Sequence, residues 1–152
     1  MKILKTSAIC AMLSLTIMGA SAQDHLPQNE PNRNKPELFS DLPPKMNVHV
    51  SDLQALLDLE VGTSVKTFLA QGFPFKGTVV SRADKDGVKS VVIRSTNRHG
   101  STLTFTRVTA ADGTVNYLGR LLSMNNSDAY NLVKEDRQYV LKKIQLHELV
   151  IE

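Results

Sequence analysis

Beyond Gly62 the chain is punctuated by turn residues every 8 to 13 positions, and this rhythm limits the possible fold more than any other feature. Gln71-Gly72-Phe73-Pro74, Asp84-Lys85-Asp86-Gly87, Asn97-Arg98-His99-Gly100, Asp112-Gly113, Asn125-Asn126-Ser127 and Glu135-Asp136-Arg137 separate segments in which apolar and polar residues alternate. A period of two marks a strand with one buried face. Connections this short join antiparallel neighbours, because a parallel crossover needs a dozen or more residues. The predicted strands are 63–70, 75–83, 90–96, 102–109, 114–123, 129–134 and 138–146, with Leu149 to Ile151 extending the last edge. The fold class is therefore mainly β, α+β at the margin: an antiparallel meander of about seven strands forming a curved sheet or small open barrel.

One short N-terminal helix accompanies the sheet. Ser51-Asp52-Leu53-Gln54 places Gln54 three residues after a capping serine, as a capping box requires. Leu53, Leu56 and Leu57 then form one apolar stripe and Gly62 closes the segment, so a helix is expected over Asp52 to Glu60, packed on the sheet.

The first 22 residues read as a signal peptide. Lys2 and Lys5 precede an apolar run from Ala8 to Met18, shorter than the roughly 20 residues that span a bilayer. Ala20-Ser21-Ala22 fits a signal peptidase site, with cleavage after Ala22. The expected product is exported, to the periplasm or beyond the cell, with no stable membrane insertion after cleavage. Its only cysteine, Cys10, leaves with the signal, so no disulfide supports the mature chain. Lys2 and Lys5 leave too, and 16 basic residues then face 15 acidic ones. That balance argues against nucleic acid, which calls for a concentrated cationic surface. Residues 23–45 hold five of the six prolines and read as a Pro-rich polar linker, solvated from Gln23 to Asn34, with Leu38, Phe39 and Leu42 available as first fixed contacts. Residues 46–152 form the single β-rich domain, and the 130 residues that follow the signal are long enough to bury roughly two thirds of their unfolded surface in one core.

Motifs for chemistry are missing. His147-Glu148 begins an HExxH zinc pattern, but the fifth position is Ile151 and the second ligand is absent. His25, His49, His99 and His147 stand apart, no GxSxG or Gly-rich phosphate loop occurs, and the expectation is no catalytic residue, no cofactor and no metal. In a meander, successive turns fall at alternate ends of the sheet. One end then collects Asp84, Asp86, Asp112, Glu135 and Asp136, on turns too far apart to share one calcium ion without tight closure of the sheet. The other end collects Asn97, Arg98, His99, Asn125, Asn126, Ser127 and Asp128. Of these, Asn97, Arg98, His99, Asn125, Asn126 and Asp128 are the candidate contacts for a partner, since loops on a rigid sheet are frequent binding sites. Turn chemistry accounts for the same residue types. Thr102, Thr104 and Thr106 alternate with Leu103 and Phe105, giving one threonine face, and Tyr117, Tyr130 and Tyr139 recur on successive strands in position for cross-strand packing.

Two stretches carry a family likeness: Phe75-Lys76-Gly77-Thr78-Val79, and Asp112-Gly113-Thr114-Val115-Asn116-Tyr117-Leu118-Gly119-Arg120-Leu121-Leu122-Ser123 followed by Asp128-Ala129-Tyr130-Asn131-Leu132. The FxGxV, YxGxLxS and DAYxL pattern resembles the β-rich region ahead of the catalytic domain in some secreted bacterial zinc metalloprotease precursors. The resemblance implies a folding assistant or inhibitor domain, here with no HExxH following it, so no catalytic role carries over. Function is thus expected to be that of a non-catalytic exported binding or accessory domain contacting another envelope or secreted protein. The alternative is a small exported hydrolase of envelope or extracellular polymers, working through a pair of carboxylates that sequence does not locate.

Overall fold

The computed structural model describes residues 35–147. The signal segment, the arm from Gln23 to Asn34 and the extension at Leu149 to Ile151 lie outside the described residues. Eight strands form one antiparallel sheet: β1 (Lys45–Val48), β2 (Ser64–Ala70), β3 (Phe73–Lys85), β4 (Val88–Ser95), β5 (Thr102–Thr109), β6 (Val115–Leu122), β7 (Asp128–Glu135) and β8 (Gln138–Gln145). Their order is β1-β8-β7-β6-β5-β4-β3-β2. The meander runs from β2 to β8, and β1, four residues that precede the helix, pairs with the far side of β8 through Lys45↔Lys142 and Val48↔Tyr139. The sheet curls into a half-barrel. Register shifts between Phe68 and Ala70 and between Val79 and Ser81 bend its β2–β3 side, as an extra residue in one strand does.

The Asp112-Gly113 turn follows the expected chemistry, whereas the turns expected over 71–74 and 84–87 are tighter, because Phe73, Pro74, Asp84 and Lys85 pair as part of β3. Gly113 adopts φ +82°, and Asp112 Oδ1 accepts the Thr114 N–H at 2.8 Å. The inward set is the alternating one: Phe73, Phe75, Val79, Val91, Ile93, Leu103, Phe105, Leu121 and Tyr130 are buried, while Thr104 between Leu103 and Phe105 is exposed. The three tyrosines divide between two clusters. Tyr117 stacks on Phe105 and meets Tyr139 edge-on at 5.6 Å, whereas Tyr130 joins Phe39 and Phe73.

The helix differs from expectation at both ends. Helix α1 is Val50–Gln54, continued by a 3-10 turn over Ala55–Asp58. His49, not Ser51, is the N-cap, and no side chain caps it. Ser51 already lies inside the first turn, where its hydroxyl donates to Asp52 Oδ1, and Gln54 reaches out to Tyr117 Oη instead of back to the cap. Leu53, Leu56 and Leu57 do form the buried stripe, set on the concave side of the sheet beside β2 and β4. Among the described residues no helix is long and apolar enough to cross a membrane.

Candidate functional site

The loops at the β4–β5 and β6–β7 connections stand side by side: a Cβ placed on Gly100 would lie 3.3 Å from Ser123 Oγ. The chain's own residues 35–44 run over this end as a strap. Asp128, fully buried, accepts the Leu38 N–H at 2.6 Å and the Phe39 N–H at 2.8 Å, one on each carboxylate oxygen. Arg98 forms a two-point ion pair with Asp41, 2.7 and 2.6 Å, and also donates to the Leu38 carbonyl. That pairing holds the Asp41 carboxyl below the usual carboxylate range and raises the Arg98 guanidinium. Asn126 Nδ2 and the Ser127 N–H both donate to the Pro36 carbonyl at 3.1 Å. Lys143, on the concave face, donates to the Phe39 and Leu42 carbonyls, and Tyr130 Oη donates to the Pro43 carbonyl at 2.5 Å. Burial pushes the Tyr130 phenol up to about 12.

The strap is thus a second layer over the concave side, with Phe39 fully buried against Phe73 and Tyr130. Burying that one ring contributes about 2 kcal/mol. Of the six residues marked as partner contacts, Arg98, Asn126 and Asp128 hold the strap. Asn97 closes the end of the β3–β4 pairing, accepting the Lys76 N–H and donating to the Pro74 carbonyl, both at 2.9 Å. His99 and Asn125 are exposed, and their side chains make no hydrogen bond among the described residues.

Four of the five carboxylates of the opposite end take separate partners: Asp84 faces Lys89 at 3.5 Å, Asp86 faces Lys85 at 3.8 Å, Asp112 is bound to its own turn and Glu135 pairs with Lys45. Among the described residues no group of three or more histidine, cysteine or carboxylate side chains converges as a metal site would require.

A different concavity stands out at the seam of the half-barrel. Strands β1 and β2 are the two edges of the sheet and are not hydrogen-bonded to each other. Met46 to Val48 of one edge and Phe68 to Ala70 of the other line the same open groove of about 870 Å³, whose remaining walls come from α1 and from Arg137 to Tyr139 at the β7–β8 turn. Phe68 is 62% exposed at its rim. Asp52 is the one carboxylate among the described lining residues. Sequence reasoning misses this groove because its walls, residues 46–52, 68–71 and 137–139, are far apart in the chain, and β1 falls at the boundary of the Pro-rich segment. The signal available was Met46 and Val48 alternating with polar neighbours just before the helix. Comparison with protein-family models, with curated proteins and with solved structures finds no match, so the site rests on its own geometry.

Proposed function

We propose that this chain is an exported, non-catalytic binding or accessory domain that takes an extended segment of another exported protein into the groove at its open seam. The observation that carries this reading is the pair of sheet edges, unpaired among the described residues, that face one groove, with Phe68 exposed beside them. An edge strand presents a row of backbone donors and acceptors that another extended chain can complete, and pockets beside it select alternate side chains. The bulge at Phe68 to Ala70 and the brevity of β1 oppose indiscriminate self-association along the same edges. A polymer hydrolase of the two-carboxylate type finds less support in the groove, where Asp52 is alone.

The test is capture of partners by residues 23–152 from envelope and culture fractions, followed by hydrogen exchange on the purified complex. Protection of residues 46–52 and 64–71, together with at least tenfold weaker capture by Phe68→Ser, is the expected result. A partner whose footprint falls on residues 97–100 and 125–128, leaving the groove unprotected, would overturn the groove assignment.

A further inference from the structure

The convex face of the sheet has a charge pattern that the groove does not explain. Register and burial place Lys45, Lys66, Lys76, Arg94, Arg120 and Lys142 on outward strand positions across the sheet, all exposed. Away from the β3–β4 hairpin tip, the strand carboxylate on that face is Glu135, and it is bonded to Lys45. Lys66 and Lys76 are directly opposite each other on β2 and β3, an arrangement that destabilises a sheet. None of Lys66, Lys76, Arg94, Arg120 and Lys142 makes an ion pair among the described residues. The near-neutral composition of the mature chain therefore conceals two unlike surfaces, since apart from Glu135 and the hairpin tip the described acidic residues lie in turns, helix, strap and concave face.

At the centre of the convex face the register makes a polar row: Thr104, Arg120, Asn131, Lys142 and Lys45 on five adjacent strands. At about 4.8 Å per strand the row spans roughly 19 Å, and its cations at Arg120 and Lys142 stand about 10 Å apart. Arg120 is oriented by its Nε bond to Asn131 Oδ1, 3.1 Å, and its terminal guanidinium nitrogens have no partner among the described residues. They border a shallow depression of about 490 Å³ that also exposes the Thr104 and Thr106 hydroxyls and the apolar side chain of Leu118. A guanidinium fork with free ends suits a carboxylate, which it can bind at two points.

We infer that this convex row is a binding surface for an acidic polysaccharide, a chain bearing carboxylates at intervals along a hydroxyl-rich backbone. The interior strands favour a glycan over an extended peptide, because their backbone donors and acceptors are spent on neighbours at both sides, leaving recognition to side chains. A bilayer is less suited, since the row itself is polar and the apolar side chains lining the depression beside it, Leu118, Leu122 and Leu132, include no aromatic to anchor at the interface. Threonine, asparagine and the cations supply donors for hydroxyls and carboxylates, and Leu118 offers an apolar surface to a ring face.

Retention of residues 23–152 on immobilised polygalacturonate, against its methyl ester, poly-glutamate and anionic phosphatidylglycerol vesicles, tests the assignment. The expected result is salt-sensitive binding to polygalacturonate and little to the ester. Arg120→Gln combined with Lys142→Gln weakens it at least tenfold, while Lys85→Gln at the hairpin tip leaves it within twofold. Arg120→Lys, which keeps the charge without the fork, falls between. No binding to polygalacturonate, equal binding to poly-glutamate or to vesicles, or an undiminished double variant of native stability would each overturn the proposal. Because Phe68→Ser lies outside the row, its loss of partner capture and the loss of glycan binding are separable.

Discussion

Asp128 occupies a position where removal is expected to tell more than removal of any other polar side chain. Its two oxygens receive backbone donors from Leu38 and Phe39, about 90 residues earlier, and the group is fully buried. Hydrogen bonds to a charged acceptor are worth about 1.5 to 3 kcal/mol, and a donor left unsatisfied in the interior costs a comparable amount. Asp128→Ala should therefore destabilise the protein by about 3 kcal/mol in urea unfolding, and hydrogen exchange at Leu38 and Phe39 should accelerate with it; a loss below about 0.5 kcal/mol would mean that the strap is held elsewhere. The residue types at this end were legible as a cluster, since a meander sends alternate turns to one end. Their engagement was not, because a carboxylate in a turn looks the same whether it faces solvent or a segment of chain far away in sequence.

The strands show the same division between what alternation reveals and what it hides. The residues that carried the family likeness, Phe75, Gly77 and Val79, then Tyr117, Gly119, Leu121 and Ser123, then Asp128, Tyr130 and Leu132, are spaced two apart within each strand and fall on the concave side. The likeness therefore samples packing, and the convex residues between them, Lys76, Arg120 and Asn131, belong to a surface it does not describe. Seven strands and their turns were readable from this period; β1 was not, because four residues beside a proline pair give too short a pattern, and its place next to β8 is a long-range fact. At Gly77 the strand itself requires a small residue. A Cβ there would stand 2.6 Å from both the Arg94 carbonyl oxygen and Ile93 Cγ2, one of them backbone. Gly77→Ala must then push β3 from β4, at a cost of about 2 kcal/mol typical of overpacking. Urea unfolding should show a lower midpoint with an unchanged slope. A midpoint equal to that of the natural protein would show that the sheet yields there at little cost.

For the molecule as a whole, the ionisable groups define a window of stability with different causes at its two sides. Asp41 is lowered by its bond to Arg98, Asp58 by Lys89, Asp112 by the Thr114 N–H and Glu135 by Lys45. A lowered carboxylate stabilises the fold fully above its unfolded value, and that contribution disappears as pH falls through the folded one, so acid weakening belongs below 3.8 for the aspartates and 4.5 for Glu135. All four groups lie at the surface, and solvent screening keeps each contribution small. The alkaline side rests on a buried group. Tyr130 is raised from 10.0 to about 12, first by burial and then by the neighbouring Asp128 and Asp41. Between those values the unfolded chain has lost the phenolic proton and the folded chain retains it, so stability falls as pH rises from 10, by about 2 kcal/mol on reaching 12. Lys89, raised by Asp58, adds to the loss above its ordinary 10.5. Tyr130→Phe separates the two. It gives up the bond to the Pro43 carbonyl and so starts about 1 kcal/mol less stable at pH 7. Having no phenol to ionise, it should decline less steeply than the natural protein in urea unfolding at pH 9, 10, 11 and 12, and the two curves should cross at about pH 11, leaving the variant the more stable at pH 12. Parallel curves would place the alkaline limit on Lys89 and remove Tyr130 from the account.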